Sequence, residues 1–174
     1  MVSELLGSWG DNESSPECLN IAQKYLKDNG ISIPKSYQSY VAPISSSKLF
    51  ISAMHGQGLD IPYVCNLYSY IRLCDPLPLF KFDHPNNNYN NHSNYYNNRA
   101  STIIFNKENY IYKNCDVVVH GFAGYFEAVL YDSNNDDDRV VFSSNPTNQS
   151  YDENDGLQYS FFPIYLPIRY FFII

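Results

Sequence analysis

The feature that most constrains the fold is the segment 117–131, which carries the strongest β-strand pattern in the chain. Gly121 and Gly124 interrupt this segment, and glycines within a strand usually mark a bulge or a close approach of another backbone. The 17 Tyr and 11 Phe also favour strands over helices. At 174 residues the chain is long enough for one domain with a sizeable core, but too short for a nucleotide-binding domain plus a second complete domain. We therefore expect a mainly β protein.

Shorter patterns predict the elements around this segment. Further strands are predicted over residues 31–34, 37–44, 61–73, 79–82, 100–105 and 110–112. A helix is predicted to begin at Ser14 or Ser15 and to end at Gly30. The glycines within 48–60 predict a loop or a flexible arm there. We place a domain boundary near Pro34, where the helical pattern has ended.

Two polar inserts interrupt the strand pattern, at residues 86–98 and 132–156. The first insert consists mainly of asparagine, with Tyr and His. It is predicted to be a disordered loop because it has too little apolar content to offset the entropy of ordering. The second holds seven of the 18 acidic residues, and their spacing does not match a twelve-residue calcium loop. His92 has no partner at a metal-ligand spacing, so no metal site is predicted. His120, on the strongest strand, is interpreted as a structural histidine rather than a catalytic base.

Charge and cysteine usage narrow the class of protein. The net charge is −7, and the 11 Lys and Arg are spread along the chain, which argues against a nucleic-acid partner because phosphate binding needs a clustered basic surface. An acidic surface attracts basic peptides, although solubility alone also explains it. The four cysteines lack C-x-x-C spacing and a preceding secretory signal, so we expect reduced thiols in a cytoplasmic or nuclear protein. The apolar segment 161–174 is too short to span a membrane, and no membrane partner is predicted.

Two carboxylates near the start of the chain form the strongest functional pattern. Glu4 and Glu13 bracket a loop in which Gly7 and Gly10 allow a tight return of the backbone. Two converging carboxylates suit a guanidinium group, because its planar fork of donors is bound bidentately and always carries its charge. Such a clamp also draws positive charge toward the held nitrogens and leaves electron density on the nitrogen that must attack. The alternative is that both glutamates are solvated surface charges.

The residues around this pair resemble a known family. The spacing of the two glutamates resembles the double-E loop of protein arginine N-methyltransferases. In this pattern Glu4 follows a serine, and eight residues separate it from Glu13. Three short motifs are similar to those of the type II, symmetric-dimethylating branch: Val-Ser-Glu-Leu-Leu-Gly-Ser, Asp-Asn-Glu and Ser-Pro-Glu-Cys-Leu. The resemblance resumes in the same order at residues 45–49, 61–64, 84–86, 120–127 and 162–164. It covers most of the chain except the two polar inserts.

The resemblance implies two structural parts. Residues 1–34 would be the C-terminal end of a Rossmann-like α/β catalytic domain, with the double-E loop and a helix. Residues 35–174 would be a β-barrel oligomerisation domain that is incomplete at its C-terminal end. The family carries a dimerisation arm in the region 48–60, which is shorter here, so the family's dimer contact stays open. We expect the chain to be either a truncated version of a longer gene product, which we favour, or a genuine fragment.

The implied activity is methyl transfer from S-adenosylmethionine to arginine guanidinium nitrogens of histone and Gly-Arg-rich proteins, with symmetric dimethylation. Glu4 and Glu13 would be the catalytic residues, and Phe161 would bind substrate by stacking on the guanidinium, at a position where the family usually has the stronger partner Trp. The glycine-rich cofactor loop is missing from this chain, so no cofactor-binding residue is assigned and the chain alone is expected to be inactive.

Two other function classes remain open. The first is a non-catalytic barrel that pairs with a full-length subunit as an oligomerisation module. The second is an aromatic-rich, ligand-binding β-sandwich, which explains the tyrosines but not the ordered motif matches. A homo-oligomer is expected both for the non-catalytic oligomerisation module and for the enzyme.

Overall fold

The computed structural model describes residues 1–86, 99–113, 115–133, 138–145 and 161–173. The helices are α1 Ser15–Ala22, which continues as a 3-10 turn Gln23–Tyr25, and α2 Ser47–His55; a further 3-10 turn is Lys107–Asn109. The strands are β1 Ser36–Ser45, β2 Tyr63–Val64, β3 Ile71–Arg72, β4 Leu77–Asp83, β5 Val118–Tyr131, β6 Val140–Ser143 and β7 Ile164–Ile173. The predicted mainly β class is therefore confirmed.

The strands form one seven-stranded antiparallel sheet with β5 at its centre. The order is β2-β7-β5-β1-β3; β4 shares an edge of β1 with β3, and β6 shares an edge of β5 with β7. The longest ladder joins β1 to β5, from Ser36 opposite Val129 to Ile44 opposite Gly121. The segment that dominated the sequence pattern is thus the strand on which the others assemble. Closure of this sheet into a barrel stays a prediction.

Both faces of the β1–β5 pair are buried, because side chains alternate between two separate hydrophobic clusters. One face, which we call the helix face, is formed by Ala42, Ile44, Ala123 and Tyr125 with Ala53 of α2. The opposite face, which we call the loop face, is formed by Tyr37, Phe126 and Ala128 with Phe82 of β4 and Leu6 of the N-terminal segment. The N-terminal segment is therefore packed against the sheet and shares its core.

Gly121 of β5 lies at a close approach of another backbone, as its position within a strand predicted, whereas Gly124 lies against a side chain. A Cβ atom on Gly121 would lie 2.5 Å from the carbonyl oxygen of Leu166 and 2.6 Å from the ring of Tyr165. A Cβ atom on Gly124 would lie 2.9 Å from Nε1 of Trp9. Gly121 thus lets β7 approach β5, and Gly124 leaves space for an indole from the N-terminal segment.

Several predicted elements were wrong, and α2 is the largest of these errors. The region 48–60 was predicted as a loop or arm because of its glycines, but Ser46 caps a helix there, its Oγ accepting a hydrogen bond from Leu49 N at 3.2 Å. Gly56 only ends this helix. The glycines therefore mark the C-terminal boundary of an element rather than a continuous loop.

Several of the predicted strands were also too long. Within 61–73 only two-residue strands form, residues 100–105 form no strand, and 31–34 contributes a single bridge between Ile33 and Val2. The predicted helix is shorter too, since α1 ends at Ala22 and its 3-10 continuation ends before Gly30. The alternation of polar and apolar residues predicted longer strands than the structure forms. Strand length depends on the pairing partners, and the local sequence pattern does not contain them.

The second polar insert is not a continuous loop. Val140–Ser143 forms β6, which pairs with β5, and the Phe142 ring packs 5.6 Å from the ring of Phe126. A short apolar run within an acidic stretch was enough to join the sheet. Apart from Asn86, the predicted disordered loop 86–98 lies outside the described residues. Residues 134–137 and 146–156 of the second insert also lie outside them.

The described helices are eight and nine residues long. A membrane-spanning helix needs about 20 apolar residues. No helix in the described part of the chain is long and apolar enough to cross a membrane.

His84 is the most deeply buried histidine of the described residues, with 4% of its surface exposed. Its Nε2 lies 3.5 Å from the hydroxyl of Tyr37, and its Nδ1 has no partner among the described residues. Burial lowers the pKa of His84 from 6.5 to about 4, although the charge of Asp83 opposes this change. The folded chain therefore holds His84 neutral over a pH range in which the unfolded chain protonates it.

We expect acid to destabilise the fold through His84. Between pH 6.5 and about 4 the unfolded state binds a proton that the folded state does not, so the free energy of unfolding falls as the pH falls, by about 2 to 3 kcal/mol at pH 4.5. Urea unfolding at pH 7 and pH 4.5 measures this difference. The His84→Gln variant should lose that part of the pH dependence, whereas the exposed His55→Gln variant should keep it. Equal pH dependence in both variants would contradict the assignment.

Candidate active site

The loop between the two predicted glutamates is a closed turn. Gly10 N donates to Gly7 O at 2.9 Å and Gly7 N donates to Gly10 O at 3.2 Å, with Gly10 at φ +91°. Glu4 lies three residues before Gly7 and Glu13 lies three residues after Gly10, so the turn folds the two segments that carry them back toward each other. Both glutamates are exposed. The tight return predicted from the glycines is confirmed, while the role of the glutamates stays a prediction.

Trp9, at the tip of this turn, anchors it to the sheet. Its Nε1 donates to the carbonyl oxygen of Tyr40 at 2.8 Å, and its own carbonyl oxygen accepts from Ser39 Oγ at 2.7 Å. The indole packs 5.8 Å from the ring of Phe80 and fills the space that Gly124 leaves open. The turn is therefore held in register with β1, β4 and β5 at once.

The third predicted site residue, Phe161, lies on the loop face. Its ring packs edge-on against Phe126 at 5.8 Å and against Phe142 at 5.2 Å, and it is half-buried. Leu6, between Glu4 and the turn, belongs to the same cluster. The structure thus places Phe161 in the same cluster as Leu6, which lies two residues after Glu4.

Arg99 makes a second set of contacts with the segment that follows the turn. Its Nε donates to Asp11 Oδ2 at 2.5 Å, its Nη1 donates to Glu17 Oε1, and its Nη2 donates to Glu17 Oε2 at 2.9 Å. Its Cζ lies 5.9 Å from the centre of the Phe82 ring. One guanidinium group therefore ties the turn and the first turn of α1 to β4.

These contacts shift the titration of both partners. Partial burial raises the pKa of Glu17, but the hydrogen bond and charge of Arg99 outweigh burial and hold that pKa below its ordinary value. The hydrogen bond to Glu17 is the main cause of the raised pKa of Arg99. Glu17 therefore stays ionised at neutral pH.

The four acids of this region divide into two pairs. Asp11 and Glu17 are bound to Arg99. Within the described residues, neither Glu4 nor Glu13 forms an ion pair, and both are exposed. Beside the turn lies a cavity of about 600 Å³, lined by Trp9, Asp11, Asn12, Ser14, Leu79, Phe80, Arg99 and Ser101.

Sequence reasoning missed Trp9 and Arg99. As the single Trp of the chain, located between two glycines, Trp9 was a usable signal for a packed turn tip. Arg99 carried no local signal, because it lies 88 residues from Asp11 at the end of an asparagine-rich stretch. Only the folded arrangement brings it to the turn.

The other sequence candidates fall outside this site. His120 is hydrogen-bonded within the fold: its Nδ1 accepts from Ser46 N at 3.2 Å and lies 3.1 Å from Ser45 Oγ. Its structural role stays a prediction. Across the described ranges no three His, Cys, Asp or Glu side chains are grouped in a way that would hold a metal ion. His92 lies outside the described residues.

Two family descriptions match the chain. Residues 36–174 match the "PRMT5 oligomerisation domain", and residues 1–33 match the "PRMT5 arginine-N-methyltransferase". The first of these matches contains the whole sheet, and the second contains Glu4, Glu13 and α1.

Similar curated proteins extend these matches. The chain is 44% identical to protein arginine N-methyltransferase 5 of Xenopus laevis, over 97% of this chain and 25% of that protein. It is 38% identical to protein arginine N-methyltransferase 5 of Drosophila melanogaster, over 97% of this chain and 25% of that protein. It is 37% identical to protein arginine N-methyltransferase skb1 of Schizosaccharomyces pombe, over 97% of this chain and 26% of that protein. The chain thus spans about a quarter of the length of these relatives.

A solved structure shares the fold at much lower sequence identity. The Trypanosoma brucei PRMT1 enzyme-prozyme heterotetrameric complex with AdoHcy matches 99% of this chain and 53% of its own, with a TM-score of 0.63 and 13% identity. At that identity the likeness describes the fold alone.

Proposed function

The chain belongs to the PRMT5 family of arginine N-methyltransferases, and from this membership we propose that it is the C-terminal quarter of an enzyme that methylates protein arginine. The methyl donor is S-adenosylmethionine, the acceptor is a terminal guanidinium nitrogen, and the product is symmetric dimethylarginine. Histone and Gly-Arg-rich proteins are the proposed substrates. The proposed compartments are the cytoplasm and the nucleus.

The observation that carries the proposal is the closed turn between Glu4 and Glu13. In a chain of this family, two exposed carboxylates that form no ion pair within the described residues are suited to bind an arginine side chain bidentately. Their negative charge draws the positive charge of the guanidinium toward the nitrogens they hold. The remaining nitrogen then becomes a better nucleophile.

We propose that the Phe161 ring lies against the substrate guanidinium on the side that faces the sheet. Its half-buried ring is fixed by edge-on contacts with Phe126 and Phe142. The ring therefore offers a rigid aromatic surface to a guanidinium group in this proposal. A phenyl ring attracts a cation less strongly than an indole. Phe161 therefore orients the substrate in this proposal, and the two carboxylates supply most of the binding energy.

The donor itself does not fit the part of this chain that the structure describes. S-adenosylmethionine supplies an electrophilic methyl group when bound, and a site for it needs a glycine-rich turn from a strand into a helix. In the described residues, α1 follows the N-terminal turn through Ser14 and α2 follows β1 through Ser46, and neither junction is glycine-rich. Donor binding is therefore assigned to the remainder of the full-length enzyme.

Oligomer formation is proposed from the match to an oligomerisation domain over residues 36–174. The same match supports the second candidate function, a non-catalytic module that pairs with a full-length subunit. The two candidates differ in what Glu4 and Glu13 do, since the module needs neither. No nucleic acid, membrane or metal is assigned as a partner in either case.

The test compares the full-length enzyme with the 174-residue chain. We expect the full-length enzyme to bind S-adenosylmethionine in a calorimetric titration and to give symmetric dimethylarginine in a Gly-Arg peptide, identified by mass spectrometry. We expect the chain alone to show no measurable affinity for the donor and no turnover. A micromolar dissociation constant for the isolated chain would place a donor site within it, and a full-length protein without turnover would favour the non-catalytic module.

A further inference from the structure

We propose that Arg99 is a positioning residue for arginine methylation, which holds the segment carrying Glu13 against the sheet and keeps Asp11 and Glu17 out of the substrate clamp. This inference rests on the proposed function of Glu4 and Glu13. It assigns a role to a residue that has no part in binding the substrate itself.

The contacts of Arg99 enclose Glu13 in the sequence. Asp11 lies two residues before Glu13 and Glu17 lies four residues after it, and the Arg99 guanidinium is bonded to both. Asp11 is only 7% exposed. The backbone on either side of Glu13 is therefore fixed to the same group, so the path between the two contacts has little freedom to move.

The position of Arg99 is itself fixed by the loop face. Its guanidinium lies over the Phe82 ring, which packs 5.3 Å from Tyr37 and 5.9 Å from Phe80. Phe80 in turn contacts Trp9 at the tip of the turn. The anchor of Glu13 and the anchor of the turn thus share one aromatic cluster on β4.

Charge is the second part of the argument. Four carboxylates within 14 residues would all attract an incoming guanidinium, and a substrate bound by the wrong pair would be held away from the donor. Arg99 occupies carboxylate oxygens of both Asp11 and Glu17 and offsets one of their two negative charges. The substrate arginine is then left with Glu4 and Glu13. A lysine at this position would carry the charge but not the fork that spans both acids.

Trp9 provides a readout that does not depend on activity, because it is the only Trp of the chain and lies at the turn tip. In the 174-residue chain, we expect Arg99→Met to raise acrylamide quenching of Trp9 fluorescence at least twofold without a change in far-UV circular dichroism. Arg99→Lys should give a smaller increase. The matched control is Arg169→Met. It breaks the exposed ion pair between Arg169 of β7 and Asp60, and it should leave the quenching of Trp9 unchanged. Equal quenching in Arg99→Met and Arg169→Met would contradict the proposal that Arg99 anchors the turn. If Arg99→Met does not fold, Arg99→Lys and Arg169→Met give the same comparison.

Activity in the full-length enzyme tests the positioning role. Arg99→Met should lower kcat about ten- to a hundredfold, because a small misplacement of a held reactant has that effect, with a smaller change in KM and unchanged donor affinity. In a Glu13→Gln background the same substitution should change the rate less than twofold, since its route to the chemistry is already lost. A full tenfold loss in that background would overturn the inference. If the wild-type enzyme does not methylate, the proposed function fails, while the fluorescence result still decides whether Arg99 anchors the turn.

Discussion

Changing Glu4 or Glu13 to glutamine in the full-length enzyme is expected to lower methyl transfer about a hundred- to a thousandfold while leaving donor affinity nearly intact. Guanidinium is cationic and its nitrogens share one delocalised system, so the attacking nitrogen is a poor nucleophile. Glutamine keeps the shape and one acceptor oxygen but loses the charge that polarises the substrate.

The size of this effect follows from the charge that is lost. A hydrogen bond to a charged group contributes roughly 1.5 to 3 kcal/mol, and each carboxylate in the proposed clamp accepts at least one. If the loss falls mainly on the transition state, about 2.7 to 4 kcal/mol corresponds to the expected change in rate. A solvated surface glutamate makes the opposite prediction, since its change to the amide costs almost nothing.

A peptide methylation assay on both variants measures the effect, with donor affinity determined in parallel. The matched control is Glu108→Gln, which makes the same change at an exposed glutamate in the turn Lys107–Asn109. We expect this control to retain wild-type turnover. Wild-type turnover in both Glu4→Gln and Glu13→Gln would remove the two residues from the mechanism and favour the non-catalytic module.

Adding a methyl group at Gly121 is expected to destabilise the fold by about 1 to 3 kcal/mol. The new Cβ of Gly121→Ala would lie 2.5 Å from the carbonyl oxygen of Leu166 and 3.1 Å from Cα of Pro167, so the backbone of β7 would have to move. For a chain of this size the loss corresponds to a fall in Tm of roughly 2 to 12 °C. Thermal unfolding followed by circular dichroism measures it.

Gly124→Ala is the matched substitution, three residues away on the same strand. The three atoms nearest to its new Cβ would all belong to the indole of Trp9, at 2.9 to 3.2 Å, and a side chain moves at lower cost than a backbone. We therefore expect a smaller fall in Tm than for Gly121→Ala, together with a change in Trp9 emission. A larger fall in Tm for Gly124→Ala would contradict the assignment of Gly121 to the contact between β5 and β7.

How much of the site was predictable depends on the separation of its parts in the sequence. The turn was predictable because Gly7, Gly10 and the two glutamates lie within ten consecutive residues, where spacing and backbone freedom determine geometry. The contacts of Trp9 with Tyr40 and Gly124 were not, because they join residues 31 and more positions apart.

The sequence by itself determined the β class, the strand β5 and the close backbone approach at Gly121, because side-chain periodicity and the absence of a Cβ are local properties. Tertiary structure alone decided that Val140–Ser143 joins the sheet and that Arg99 is bound to Asp11 and Glu17. The physical reason is the same in both cases. A strand without a partner, or a buried carboxylate without a cation, has no stable state of its own, so its structure depends on a distant segment that local pattern does not contain.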